Sequence, residues 1–498
     1  MSVAPWTARR GKVLRATTAA GSREDRLAGL RSLSRVPGIV PIVVLALLAR
    51  ALYGSGYVWY DALYHLIWGH DLITGHLPPD LQVVHSPTPH PLPLAVSAAA
   101  AALGSGAYAV METISLLSLG GLCWAGFRLG QRLAGWPVGA LVALILFTRP
   151  FLISQTLLAS IETPYLALIL CAAAMEVHRP RRGLPVIAVL GLAGLIRPEA
   201  WVLNGLYWLW LAPTRSWPER ARLAAAVLVA PLLWTIFDLV STGDPLHSLH
   251  ETKNAQEQPD TPRSLGSGLL AGPTYLRNIL QLPIVLAGVA GVAIAVRQYR
   301  RRALAPLVIG LSGVATFLVF GVAGLSLKPR YSFQPAVILA LFAAVALLAW
   351  RELHPGTLAR RVAMGVAAVV ALAVVAFFPL SSLNGARDTA AHQHTLQTDL
   401  VALLGTQAFS DARRTCEPLR VSDHFNSPPT AYILHGHARD VIDGDFVDGT
   451  RGLMLTFVRS PVPLAFGLPL VDPTRLRVPT VARPVVTNRS WAVYGSCP

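Results

Sequence analysis

Five histidines and three aspartates fall within residues 57–93, YVWYDALYHLIWGHDLITGHLPPDLQVVHSPTPHPLP, just after the first apolar run of the chain. Polar groups beside a membrane are costly to hold and are therefore candidates for function. Asp61 stands among the aromatics Tyr60 and Tyr64. A carboxylate there suits a general base, or an electrostatic partner, for a hydroxyl arriving at the membrane surface. The alternative is an interfacial helix with a solvated Asp and an aromatic belt. His65, His70, His76, His85 and His90 invite a zinc reading. His65 and His70 are spaced i,i+5, so one helix face does not carry both, and the paired-His logic of a metalloprotease helix is absent. His85 and His90 suit contacts to phosphate or sugar hydroxyls better than metal ligation.

Further along, Glu162 is followed by Thr163 and Pro164. Pro164 suits the first turn of a helix, with Glu162 near its positive end, so Glu162 reads as a capping carboxylate or a substrate contact. Arg197-Pro198-Glu199 ends a short apolar run. Opposite charges two residues apart read as an ion pair at the membrane edge, or as an arginine for a phosphate oxyanion. Apart from Lys12, the chain has only Lys253 and Lys328 as lysines, amid 39 other basic residues that are all arginine. A compact ammonium is a good phosphate ligand, as is the nearby Arg330, which precedes Tyr331.

The elements that must position these residues are membrane spans. The chain has 498 residues, 53% hydrophobic and 14% charged. A soluble domain carries about a quarter charged residues. The net charge of +16 raises nucleic acid as a partner. The arginines, however, sit in short clusters between apolar runs, as the positive-inside bias produces, and anionic lipid headgroups are the better match. The basic segment 1–36 reads as a cytoplasmic tail, since no small-residue cleavage site follows the first apolar run. About eleven spans follow, over 37–382. They include 37–54, 107–127, 136–155, 164–177, 184–197, 223–241, 304–325 and 362–380. Outer loops cover 55–106 and 242–270, with a short interfacial helix near 91–104. This arrangement puts every inter-span arginine cluster on one side. It collects Asp61, Glu162, Arg197, Glu199, Lys253, Lys328 and Arg330 on the other.

From residue 383 the chain changes character. A polar helical stretch (390–405) and strand-like runs such as TAYILHG and SWAVYG predict a small α/β domain, large enough for its own core. Cys416 and Cys497 lie in it and can pair if it is extracytoplasmic. Cys123 and Cys171 fall inside spans and read as packing residues. The fold class is therefore mainly α: a polytopic helical domain followed by a small extracytoplasmic α/β domain at 383–498.

Six short motifs occur in order: an aspartate after the first span (Asp61 to Gly75), HSPTPHPLP, SIETP, RPEAW, GDPLHSLHETK and RYSFQP. Together they resemble the GT-C superfamily of polytopic membrane glycosyltransferases, in particular bacterial arabinofuranosyltransferases and mannosyltransferases, over about residues 37–340. The resemblance implies transfer of a sugar from a polyprenyl-phosphate donor to a hydroxyl of an envelope glycan, lipid or protein. It places this at the outer leaflet of the cell membrane, with inversion, and without nucleic acid. It maps a catalytic acid onto Asp61. Substrate contacts would come from His85, His90, Glu162, Arg197, Glu199, Lys253, Lys328, Arg330 and Tyr331. Many relatives show a paired Asp-Asp where this chain has Tyr60-Asp61. No cofactor is therefore assigned, and a divalent cation stays an open alternative. The rival classes are a transporter or flippase of lipid-linked sugars and a non-catalytic envelope assembly protein. Transporters show internal repeats and polar groups near the midplane. Here no repeat is visible and the polar motifs gather on one face.

Overall fold

The computed structural model describes residues 38–78, 81, 86–254, 264–376, 380–422, 424–443, 451–458 and 482–497. The basic segment 1–36 lies outside them. The bundle opens with α1 (Ile39–Tyr53), α2 (Tyr60–Ile73), α3 (Pro91–Ala101), α4 (Ala107–Ala134), α5 (Trp136–Phe147) and α6 (Pro150–Leu157). It continues through α7 (Glu162–His178), α8 (Leu184–Gly194), α9 (Glu199–Leu211), α10 (Trp217–Thr242) and α11 (His247–Asn254). It closes with α12 (Leu265–Leu280), α13 (Leu282–Gln298), α14 (Arg300–Val322), α15 (Phe333–Leu348) and α16 (Leu358–Ala376).

Among the described residues, five helices are long and apolar enough to cross a membrane, or seven if each of two bent pairs is one span. The remaining four expected spans are α1, α7, α8 and α9, of 15, 17, 11 and 13 residues. An 11-residue helix is about 17 Å long, roughly half the hydrocarbon thickness. The turn between α8 and α9 carries Arg197.

The bent pairs correct the expectation of unbroken spans. The helix expected over 136–155 breaks into α5 and α6 at a 60° bend, and α12–α13 bend by 106°. Pro150 and Pro283 sit in the first turn of the second member of each pair, where a missing N–H costs nothing. Backbone groups freed at depth must find partners inside the protein. The Tyr53 hydroxyl donates to the Phe147 carbonyl at 2.9 Å. Arg149 Nη1 donates to the Leu280 carbonyl at 3.2 Å and to Gln281 Oε1 at 3.0 Å, tying one break to the other. Close helix approach rests on glycine. A Cβ on Gly291 would overlap the Phe342 carbonyl of α15, and one on Gly120 the Ile42 carbonyl of α1.

The charged ends segregate as the arginine clusters predict. At one end Arg302 Nη1 donates to the Arg132 carbonyl at 3.4 Å, and Arg215 Nη2 to the Arg181 carbonyl at 2.8 Å. Asp61, Glu162, Arg197, Glu199 and Arg330 meet at the other end.

The C-terminal part comprises α17 (Leu380–Leu404), α18 (Gln407–Thr415), β1 (Leu419–Val421), α19 (Ser427–Ile433), β2 (Val441–Asp443), β3 (Gly452–Phe457), β4 (Arg483–Thr487) and β5 (Trp491–Ser496). The sheet order is β2-β1-β3-β5-β4. β1 runs parallel to β2 and β3, while β5 is antiparallel to β3 and β4. SWAVYG forms β5 as expected. TAYILHG does not form a strand, because Ser427-Pro428-Pro429 starts a helix whose first turn needs no proline N–H.

The expected separate core is also corrected. The sheet residues Leu419, Val421, Leu453 and Val493 share one cluster with Tyr60, Tyr64, Ile67 and Trp68 of α2. Trp59 stacks on Phe425 at 5.8 Å between ring centroids, and Tyr60 meets Phe425 edge-on at 5.1 Å. The aromatics that flank Asp61 are thus the anchor of the C-terminal part.

Cys416 and Cys497, 81 positions apart in sequence, are bonded with Cα atoms 5.6 Å apart, whereas Cys123 and Cys171 are free. The bridge ties α18 to the end of β5. Replacing both cysteines by serine removes a long-loop constraint of about 2–5 kcal/mol. We expect limited proteolysis to cut residues 383–498 faster in that variant while leaving the helical bundle intact. Equal cutting rates would show that the bridge is dispensable.

Candidate active site

Arg197 is the hub of the polar end. It lies in the α8–α9 turn and faces the first residues of two helices, Glu162 of α7 and Glu199 of α9. Its Nη1 meets Glu162 Oε2 at 2.6 Å and its Nη2 meets Glu199 Oε1 at 2.7 Å. Nε adds a third bond to Glu199 at 3.2 Å. The three side chains are 10%, 4% and 12% exposed, so the charges survive only because they pair. Helix N-termini add positive potential at both carboxylates. The guanidinium also lies 5.7 Å from the Tyr165 ring and 5.3 Å from the Tyr331 ring. Tyr165 donates its hydroxyl to Gln334 Oε1 at 2.7 Å, and Gln334 Nε2 donates to the Ile309 carbonyl at 2.7 Å. The sequence leaves Arg197 either to an ion pair at the membrane edge or to an incoming phosphate, and the ion pair with Glu199 is present. Its donors are committed to two carboxylates, Glu162 as well as Glu199, so it holds the site together.

Arg330 and Asp61 form the open part. Arg330 Nη1 is 4.0 Å from Asp61 Oδ2, and both side chains are more than a third exposed. This loose pair leaves the carboxylate accessible. Asp61 is the second residue of α2, so the third acid of the site also sits at a helix N-terminus. Arg330 Nε is buried without a hydrogen-bond partner among the described residues, and its guanidinium lies 5.5 Å from the Tyr331 ring. Lys328 stands two residues earlier, half-buried. Burial, then the adjacent Arg330 charge, pushes its ammonium down to about 8, with Asp61 opposing. An open cavity of about 320 Å³, counted with the space continuous with solvent, is lined by Glu162, Glu199, Arg197, Arg330, Tyr165 and Tyr331 among others.

The histidines divide. His65 Nδ1 bonds the Asp61 carbonyl at 2.5 Å and its Nε2 accepts the His90 backbone N–H at 3.3 Å. One nitrogen donates and the other accepts, so the ring is neutral, consistent with burial lowering its pKa. His65 therefore fixes the first turn of α2. His90 is held well below its ordinary value by burial, then by His65, Arg197 and Arg330. The Ile196 backbone carbonyl opposes that shift, and the His90 ring meets Trp234 at 5.5 Å. His85 lies outside the described residues, as does the side chain of Lys253, whose backbone belongs to α11.

Four contributors escaped sequence reasoning. Tyr165 and Gln334 sit inside apolar helices, and His65 was grouped with a run of histidines. Asp238 is 2% exposed within α10, where its two oxygens take the Ser248 N–H at 3.0 Å and hydroxyl at 2.8 Å, fixing the start of α11. A lone acid in the span expected over 223–241 was a readable signal, because such groups are rare there unless paired. Among the described residues, no three His, Cys, Asp or Glu side chains converge as metal ligands. Arg197 takes both glutamates, and Asp61 faces Arg330, so these acids do not form a divalent-cation pair and no step is drawn through one.

No protein-family model matches the sequence, and no curated protein matches it. Solved structures do match. ArnT from Cupriavidus metallidurans bound to undecaprenyl phosphate aligns with a TM-score of 0.55 and 15% identity, covering 92% of this chain and 97% of that chain. Its apo state gives a TM-score of 0.56 at 15% identity with the same coverage. The Archaeoglobus fulgidus oligosaccharyltransferase in complex with Zn and sulfate aligns at 0.50 and 13% identity, over 84% of this chain and 67% of that one. The chain therefore has the fold of ArnT.

Proposed function

We propose that this protein is a membrane glycosyltransferase that moves a sugar from a polyprenyl-phosphate donor to a hydroxyl of a cell-envelope acceptor. The reading rests chiefly on one observation. An accessible carboxylate, Asp61, stands beside two cations that are not locked to glutamates, Arg330 and Lys328, and Arg330 also lines a recessed, ion-paired cavity. A protein of the same fold has been seen with undecaprenyl phosphate bound, which fits a lipid-phosphate ligand here.

Asp61 takes the proton of the acceptor hydroxyl as that oxygen bonds to the anomeric carbon. The bond from that carbon to the phosphate oxygen breaks on the opposite face, so the configuration inverts. Arg330 and Lys328 neutralise the departing polyprenyl phosphate, with Lys253 a further candidate. Glu162 and Glu199, held by Arg197, orient sugar hydroxyls together with His90 and His85. Tyr331 supports Arg330 and Arg197 by ring contacts.

The site would face the outside of the cell membrane, with the N-terminus cytoplasmic and residues 383–498 extracytoplasmic. The arginine-rich opposite end supports this orientation through the positive-inside bias, and the Cys416–Cys497 bridge suits an oxidising compartment.

The test is a panel of synthetic polyprenyl-phosphate pentoses and hexoses in proteoliposomes, with envelope extracts as acceptor. Release of polyprenyl phosphate and an inverted product are expected with at least one donor. Movement of intact donor between leaflets without cleavage would make the protein a transporter instead.

Lys328 gives this reading a pH signature. Its ammonium is charged below about 8 and neutral above, so donor affinity is full at lower pH and declines as pH rises through that value. The bound phosphate holds the proton on, so the midpoint in the complex lies higher. The loss should be about tenfold, the scale of one charge-assisted hydrogen bond. Lys328→Arg should flatten the profile, read by donor-analogue binding. An unchanged slope in that variant would exclude Lys328 as a phosphate ligand.

A further inference from the structure

At the end of the bundle opposite the site, the arginines fall into two sets. One set is engaged internally: Arg215 pairs with Glu219 at 2.7 Å, and the Arg181 guanidinium lies 4.8 Å from the Trp210 ring. The other set gathers where α4, α7 and α14 end. Arg128 and Arg132 are one helical turn apart on α4, and Arg302 of α14 reaches the Arg132 carbonyl at 3.4 Å. Arg132, Arg128 and Arg182 all act on His178, the last residue of α7, and push its pKa down, Arg132 most strongly.

Among the described residues, no carboxylate comes within ion-pair distance of Arg128, Arg132, Arg182 or Arg302. Glu352 and Arg302 both act on Tyr299, from opposite directions, without an ion pair between them. Arg132 Nε is buried without a partner among the described residues. The positive-inside bias accounts for arginines at this end, but it does not require them to converge around one point with a buried donor left over. Convergent cations in a partly desolvated junction need an anion. Trp124, stacked with Phe127 at 5.1 Å and lying 5.6 Å from the Arg128 guanidinium, marks this level as the membrane–water interface. The anion available at that depth is a lipid phosphate.

We propose that the junction of α4, α7 and α14 binds the phosphate headgroup of an anionic phospholipid. Arg128, Arg132 and Arg302 grip the phosphate, and Trp124 packs at the glycerol level. The site is remote from the cavity around Arg197 and does not depend on what that cavity does.

The test uses the full-length protein in phosphatidylcholine nanodiscs titrated with phosphatidylglycerol or cardiolipin, read by Trp fluorescence and by thermal denaturation. Wild type should show a saturable rise in midpoint. The variant Arg128→Gln/Arg132→Gln/Arg302→Gln should need about a hundredfold more anionic lipid, and Arg302→Gln alone about fivefold more. Arg302 is exposed, so the single variant keeps the test valid if the triple variant does not fold. Arg360→Gln/Arg361→Gln, at the same end but outside the junction, should titrate like wild type. The proposal is overturned if the junction variants titrate like wild type. It is also overturned if the Arg360/Arg361 variant loses as much, or if inorganic phosphate alone gives the same shift.

Discussion

Asp61→Asn should abolish sugar transfer in membranes while the protein still accumulates, folds and binds polyprenyl phosphate. The change removes the proton acceptor but keeps the side-chain shape. General-base contributions run to about 10²–10⁴ in rate, so transfer should drop by that order. Stability should not follow. The pair with Arg330 is long, at 4.0 Å, and both partners are more than a third exposed, so its contribution is small. The backbone of the first turn of α2 is held by His65 and by aromatic packing, neither of which uses the carboxylate. Assays of initial rate and of lipid-phosphate binding on the same preparation separate the two effects. Transfer within a few-fold of wild type would remove Asp61 from the chemistry.

Arg197→Gln should act in the opposite way, through the fold. It strands Glu162 and Glu199, both nearly inaccessible, without the guanidinium that bonds them. Breaking a buried ion pair on one side costs about 3–5 kcal/mol, a large share of a typical stability margin. Yield and denaturation midpoint should both fall sharply. Arg197→Lys keeps the charge but loses the fork that serves two carboxylates, and should recover only part of the loss. Adding Glu162→Gln to Arg197→Gln should restore stability relative to Arg197→Gln alone, because one stranded charge is gone. An Arg197→Gln protein with a wild-type midpoint would mean that the triad is not what holds this end together.

The sequence was most legible where a physical rule acts on single positions. Arginine clusters gave the sidedness of the loops, since each one needs only its neighbours in the chain to be recognised. The residues Asp61, Glu162, Arg197, Glu199 and Arg330 were found because charges next to apolar spans are conspicuous. What joins them was not legible. Nothing in SIETP or RPEAW says that Glu162 and Arg197, 35 residues apart, meet at 2.6 Å. That contact depends on how two half-length helices fold back. The breaks at Arg149 and Gln281 were hidden because apolar runs continue through them, and only proline placement hinted at a bend. The C-terminal part was read as self-contained because its own apolar residues sufficed for a core. Its actual partner, the aromatic face of α2, equally suits a membrane belt. Aromatics give the same composition signal for either role.

Where a lipid phosphate binds decides the role of Asp61, Arg330 and Lys328. A structure determined with undecaprenyl phosphate in a lipid nanodisc is the most direct test. The phosphate should lie against Arg330 and Lys328, within one sugar's reach of Asp61. A phosphate bound elsewhere, with Arg330 and Lys328 left in solvent, would contradict it.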